Sequence, residues 1–386
     1  MVATEGAAAR LLAAALALPG IAAPVQAEEA PEQASMSLHW LDYRDRQPGF
    51  SRVHVRVPAI NLTLPLGSAW SLQANVMQDA VSGASPRYHT AVSSASHFEE
   101  ERRAADLTIT RHFARGSLAL QLGRSGENDY VSRFAAIQGK WANENQNRTL
   151  LFGTSLALDE INPVNGVAKN QSKRQQDFLL GLTQIMTERD LLQVSFTRSL
   201  GQGYYSDPYK RLDFRPRTRN ASILMLRWNH QFGAPDDKLA PTLRTSWRYF
   251  GDSFGVRSHT LHAEWVQPLG AGWQITPSLR YYNQGAAEFY ADAVYDPKLK
   301  APFPLGLPVL DLLAGKLNIS LDQRLAAFGA LGAGLLVEKE LPGNWHLQAG
   351  VEYYRQRSDW AWFNHGSVNL DPFSSLTWQF GVRKSW

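Results

Sequence analysis

The sequence predicts an all-β chain, a transmembrane antiparallel up-and-down β-barrel of about 16 strands. Three observations predict it. The chain ends on an amphipathic segment whose final residue is Trp386, and short links alternate with long ones along its length. An aromatic content of 11%, with 12 Trp and 13 Tyr, accompanies a negative mean hydropathy of −0.30. A strand with one oily and one wet face, closed by aromatic girdles at both interfaces, gives that combination.

In the closing segment, 374–386, Leu376, Trp378, Phe380, Val382 and Trp386 share one face. Ser375, Thr377, Gln379, Gly381, Arg383 and Ser385 share the other, because successive strand side chains point to opposite sides. A soluble sandwich rarely ends on three large aromatics. The segment resembles the C-terminal signal by which bacterial outer-membrane barrels meet the barrel-assembly machinery, with Phe380, Gly381 and Trp386 as the assembly signal. It departs at Lys384, where that signal usually has a hydrophobic residue.

Residues 1–27 read as a signal peptide, with Arg10 as its positive region, an apolar core from Leu11 to Leu18, and Val25-Gln26-Ala27 before the cut. A short buried helix is the plainer alternative. Residues 28–35 read as a periplasmic tail and 36–386 as one barrel domain. Beyond the N-terminus no apolar run approaches the roughly 18 residues of a membrane helix. The absence of cysteine excludes disulfides, thiolate chemistry and Cys-ligated zinc. With 39 basic and 35 acidic residues the net charge is only +4, which argues against a nucleic-acid surface.

Alternation places strands near 36–43, 51–64, 70–79, 104–113, 117–124, 131–142, 149–158 and 176–186. The second half gives 191–199, 221–232, 241–250, 257–267, 273–283, 323–337, 344–355 and 374–386. In 70–79, for example, Trp70, Leu72, Ala74 and Val76 oppose Ser71, Gln73 and Asn75. Every link after an even strand is short, whereas those after odd strands are usually longer, notably 80–103, 159–175, 200–220, 284–322 and 356–373. Periplasmic turns and extracellular loops of a barrel alternate in this way, and an even strand number puts both termini in the periplasm. Closure follows from the hydrocarbon, where each unpaired backbone group costs several kcal/mol, so the first strand must pair with the last.

Several stretches carry a family resemblance. They are Val81-Ser82-Gly83-Ala84-Ser85-Pro86-Arg87-Tyr88-His89-Thr90, Glu101-Arg102-Arg103, and Gly203-Tyr204-Tyr205-Ser206-Asp207-Pro208-Tyr209-Lys210 with Arg215-Pro216-Arg217-Thr218-Arg219. Further on come Arg257-Ser258-His259-Thr260, Arg280-Tyr281-Tyr282 and Asp322-Gln323-Arg324-Leu325-Ala326-Ala327-Phe328-Gly329. In order and spacing they resemble the DUF3570 family, whose members are expected to be outer-membrane barrels. The insertion at 298–318 fits that pattern least. The resemblance implies a place beside a small lipoprotein, a thioredoxin-like protein and an enzyme that flavinylates exported proteins, hence a periplasmic or lipoprotein partner in an envelope redox system. No flavin-binding motif is present, and no cofactor is expected.

The polar strand faces would line the lumen with His54, Arg56, Arg244, Arg248, His262, Glu264, Arg280, Glu352 and Arg383. Charges of both signs there suit a selective pore or a luminal plug, and equally a structural ion-pair network. One predicted extracellular loop gathers Tyr204, Tyr205, Asp207, Tyr209, Lys210, Arg211, Arg215, Arg217 and Arg219. It would hold an anionic sugar, a lipopolysaccharide phosphate or a partner protein, or else pack on itself with its arginines on carboxylates such as Asp213. In the loop 79–103, Arg87, His89, His97, Glu99, Glu100 and Glu101 have no metal-ligand spacing.

No Gly-x-Ser-x-Gly elbow, nucleotide loop or His-Glu-x-x-His helix occurs, and Ser258 and His262 are too far apart along a strand to bond directly. No catalytic residue is assigned. Trp70, Trp265, Trp273, Trp345, Trp378 and Trp386 read as girdle residues beside outer-membrane lipid and lipopolysaccharide. The stretch 301–313 reads as a short helix on the lipid surface or in the lumen. The expectation is a porin-like conduit for small solutes, with a non-conducting scaffold or partner-binding barrel as the alternative.

Overall fold

Alternating segments pair into twenty strands in the structure, a computed structural model that describes residues 30–84, 97–210, 212–296, 301–304, 317–362 and 365–386. They are β1 (Ser35–Gln47), β2 (Phe50–Leu66), β3 (Trp70–Ala84), β4 (His97–Phe113), β5 (Gly116–Gly126), β6 (Tyr130–Ala142) and β7 (Arg148–Ile161). Next are β8 (Gln171–Ile185), β9 (Asp190–Gly203), β10 (Asp213–Phe214), β11 (Thr218–Gln231), β12 (Thr242–Asp252), β13 (Arg257–Gly270) and β14 (Trp273–Gln284). The last are β15 (Ala293–Asp296), β16 (Ala301–Pro304), β17 (Ile319–Ser320), β18 (Phe328–Leu341), β19 (Trp345–Arg357) and β20 (Phe373–Ser385).

Sixteen of them close one antiparallel barrel in chain order, while β10–β17 and β15–β16 form two small sheets outside it. At the seam, Leu38 pairs with Val382 and Trp40 with Phe380, and the Trp386 amide donates to Ala34 O at 3.0 Å. No described helix is long and apolar enough to cross a membrane.

The outward face follows from register and exposure. Leu180 is 62% exposed and Leu279 67%, and both sit in cross-strand rows of apolar partners such as Phe152 and Phe196, or Ala263 and Ala333. A contiguous apolar surface of this kind is the lipid-facing belt. Toward the end that carries the termini and short turns, Trp70, Trp141, Trp265, Trp273 and Trp345 ring the belt. Trp378 lies away from that ring, in mid-strand opposite Asp42. Lys384, the departure from the usual C-terminal pattern, lays its stem along this surface with Nζ 5.4 Å from the Trp345 ring and bonded to Gly343 O. The Ala271–Gly272 turn shows how tight this end is, since both residues adopt the positive φ that a two-residue hairpin requires.

Several strands outrun their predicted limits at the long-loop end. β3 reaches Ala84 and β4 begins at His97, so half of the expected 80–103 loop is strand and the rest, 85–96, lies outside the described residues. Above the belt both faces are wet, and the two-residue hydropathy signal fades there although pairing continues. The opposite error falls at 323–337: Gln323–Leu325 form a 3-10 turn capped by Asp322, and the strand starts at Phe328. Ala301–Pro304 pairs with Ala293–Asp296 as a hairpin rather than starting a helix. Residues 1–27, Arg87, His89, Arg211 and 305–313 lie outside the described residues.

Candidate functional site

The site is the inner wall together with the loops above it. Register places Arg244, Arg248, His262, Glu264, Arg280, Glu352 and Arg383 on the inward face, alternating with belt residues such as Trp247, Leu261, Leu279 and Val382. His54 and Arg56 are not there. They pair with Arg44 and Asp42 in the same outward rows as Trp378 and Leu376, and the His54 Nε2–Asp42 Oδ2 contact of 2.7 Å lies on the outside of the barrel. Val53, Val55 and Val57 take the inward positions instead, with Val55 only 7% exposed. The expected order is inverted because this part of β2 rises above the belt, where the outside is as wet as the inside.

The inner wall has two unlike arcs. Along β1–β9 the inward carboxylates among the described side chains have built partners. Asp45 takes the Arg52 guanidinium at 2.5 Å, the Val53 amide at 2.9 Å and the Tyr43 hydroxyl at 3.0 Å. Arg102 is bonded to Asp79, and Asp106 accepts from Asn75 at 2.8 Å and Gln121 at 3.0 Å. Lys173 Nζ lies 2.9 Å from Asp159, which also accepts the Tyr130 hydroxyl at 2.5 Å, and both charged side chains have 1% exposure or less. Asp177 accepts from Ser155 at 3.0 Å, Gln175 at 3.0 Å and Ser199 at 2.5 Å. Buried charges survive only when paired and hydrogen-bonded, and these are.

Along β11–β20 the charges are looser, apart from the Arg219–Asp252 pair at the loop end of β11 and β12. Arg244 and His262 stand 3.9 and 4.0 Å from Glu264, at the limit of an ion pair. Glu338 accepts from Gln274 at 2.5 Å with His346 at 3.5 Å. Arg248, Arg280 and Arg383 have no acidic partner within ion-pair distance among the described residues, and Arg280 and Arg383 are exposed. Because β4–β8 and β13–β20 stand eight places apart in the ring of sixteen, the carboxylate-bearing arc faces the arginine-bearing one across the axis.

Above the wall, the loop after β9 folds onto the one between β14 and β18. Asp322, fully buried, meets Lys210 at 2.8 Å, Arg215 at 2.6 Å and Arg324 Nε at 2.7 Å. Burial alone would raise the Asp322 carboxyl, but Arg324, Lys210 and Arg215 outweigh it and hold it well below the usual carboxylate range. Arg215 also binds Asp213 at 2.9 Å, and Arg324 binds Asp207 at 2.8 Å.

Tyr205 packs edge-on to Phe254 at 5.7 Å, within a cluster that includes Val256, Ala287 and Leu325. The same ring lies 5.6 Å from Lys173 Nζ, which ties the loop to the inner wall. Tyr209 donates to Asp129 at 2.6 Å, and Arg217 reaches Gln171 at 3.1 Å. Arg219 belongs to β11 and pairs with Asp252 at 2.8 Å. Tyr204, Tyr205, Asp207, Tyr209, Lys210 and Arg215 therefore form a self-packed structure rather than an open cationic loop. Sequence reasoning missed Asp322 as its centre, and the signal available was the run Asp322-Gln323-Arg324 facing the arginine-rich loop.

Among the described residues no three His, Asp or Glu side chains come together as a metal-ligand set.

The family model described as "Protein of unknown function (DUF3570)" matches residues 8–99 and 92–372. No curated protein matches the chain. Among solved structures, a bacterial polysaccharide outer membrane secretin is similar with a TM-score of 0.54 at 9% identity, over 92% of this chain and 98% of that one. The outer membrane protein opdK from Pseudomonas aeruginosa gives 0.44 at 10% identity, over 92% and 100%. OccK2 (OpdF) of the same organism, in complex with glucuronate, gives 0.45 at 11% identity, over 93% and 98%. At 9% identity the likeness to the secretin shows a shared barrel fold and nothing finer.

Proposed function

The chain belongs to the DUF3570 family, and from that premise we propose that it is an outer-membrane, porin-like conduit for small solutes with a preference for anions. One observation carries the reading: among the described residues Arg248, Arg280 and Arg383 face inward without an acidic partner at ion-pair distance, opposite an arc whose described carboxylates are already engaged. Sixteen strands enclose enough room for water. An unneutralised guanidinium on a hydrated wall lowers the energy of a passing anion and raises that of a cation.

The test is a planar bilayer under a potassium chloride gradient. Stable conductance with a reversal potential on the chloride side is expected, and an Arg248→Gln/Arg280→Gln variant should move that potential toward zero. A cation-selective channel would sink the anion preference. A second reading has its own support, in the packed loop structure around Asp322 and Tyr205 above the wall. In it the barrel is closed and serves as the membrane component of an envelope complex with a periplasmic or lipoprotein partner. Electrical silence with a co-purifying periplasmic protein would favour it.

A further inference from the structure

The outer wall of β5–β8 carries a charge pattern that neither reading uses. Its belt is continuous: Leu118, Leu120 and Leu122 on β5, Ile137 and Trp141 on β6, Leu150 and Phe152 on β7, and Phe178, Leu180 and Leu182 on β8 are all outward and exposed. One step above it, toward the long loops, stand Arg124, Arg133 and Arg174, all exposed. Arg124 and Arg133 are direct cross-strand partners, and Arg133 and Arg174 both flank Leu158 in the same row. Direct partners have Cα atoms about 5 Å apart, and two strands separate the next pair by about 10 Å.

Like charges directly opposite on a sheet repel, so this arrangement carries a cost that something must offset. Glu160 does so in part, through a 2.5 Å contact with Arg133. Arg124 and Arg174 have no acidic partner among the described residues. Gln176 and Gln202 share the outward face with Arg174 and add amide donors, and Arg198 on β9 donates to Ser222 at 2.7 Å nearby.

We propose that Arg124, Arg133 and Arg174 form a binding site for the phosphate groups of a lipopolysaccharide molecule in the outer leaflet, whose acyl chains lie on the belt beneath. Guanidinium forks match phosphate oxygens bidentately. Their height is decisive, because the first residues above the hydrocarbon are where lipid phosphates sit. A free anion would gain nothing from the adjoining apolar surface. The site lies on the outside of the barrel, so it stands or falls independently of conduction.

The folded barrel in detergent is titrated with purified lipopolysaccharide, with the same lipid after chemical dephosphorylation, and with inorganic phosphate. Wild-type protein should bind intact lipid, and Arg124→Gln/Arg174→Gln should raise the dissociation constant by about tenfold or more, since two charge-assisted contacts are lost. Arg124→Lys/Arg174→Lys, which keeps the charges, should recover part of that loss. Heat-modifiable mobility verifies that each variant is folded, and unchanged conductance separates this site from the inner wall. Equal affinity of wild type and the glutamine variant, or equal binding of dephosphorylated lipid, overturns the proposal. Displacement of lipid by low-millimolar inorganic phosphate would assign the arginines to a free anion and overturn it as well.

Discussion

The two arcs of the inner wall carry similar residue types and use them in opposite ways. On β7 and β8, Asp159 and Lys173 are buried and bonded to each other and to Tyr130. On β12 and β14, Arg248 and Arg280 have no carboxylate within ion-pair distance among the described residues. The difference separates what holds a barrel together from what a barrel presents. A paired charge in a dry wall is part of the fold, whereas an unpaired one in a wet wall spends nothing on structure and remains available to a solute.

The largest effect that sharpens the contrast is Lys173→Met. It leaves the Asp159 carboxylate buried without its cation, and breaking such a pair from one side costs about 3–5 kcal/mol. Arg280→Gln, on the other arc, should stay within about 0.5 kcal/mol as exposed substitutions do. Denaturant unfolding of both variants in the same lipid gives the comparison. Equal losses would mean that the arginine arc is also structural.

Next in size is the loop structure. Asp322 has a depressed carboxyl pKa, so its contribution is fully present above the unfolded value near 4 and is lost only as pH falls through the much lower folded value. Protection of the loops around Asp322 from added protease should therefore persist from neutral pH down to about 4. Asp322→Asn removes the charge that three cations share and should abolish that protection at every pH, at a cost of about 3 kcal/mol. Loss of protection already near pH 6 in the wild-type protein would shift the responsibility to a histidine.

Most of the architecture was legible because hydrocarbon imposes a pattern: strand number, the seam and the inward set from Arg244 to Arg383 follow from alternation inside the belt. Above the belt that constraint lapses. Alternation predicts His54 and Arg56 inward with the valines beside them outward, yet there Val55 is the buried residue. Asp159 and Lys173 fell just outside the predicted segments 149–158 and 176–186, so the most enclosed ion pair of the wall went unseen. The Asp322 structure joins residues more than a hundred positions apart, and no local period reports such a contact.

A smaller effect tests the arginine arc directly. Replacing Arg383 by Gln removes one unpaired cation near the closing end of β20, and the anion-to-cation permeability ratio should fall by roughly twofold. Reversal potentials measure it. A Lys173→Met barrel, if enough of it folds, should show a far smaller change, because that charge is already matched by Asp159.

The smallest equilibrium effect is expected at the seam between the arcs. Trp386 is 58% exposed, and its backbone supplies one bond to Ala34, which Trp386→Ser retains. Its indole lies outward and not between the arcs, so unfolding stability should change by less than about 1 kcal/mol. Assembly is a different quantity. If the terminal aromatic acts as a recognition signal, the variant should be exported normally yet insert into the membrane several-fold more slowly, followed by the appearance of heat-modifiable barrel with time. A stability loss matching that of Lys173→Met would instead make Trp386 a structural closure, and normal insertion kinetics would leave the residue without a role in assembly.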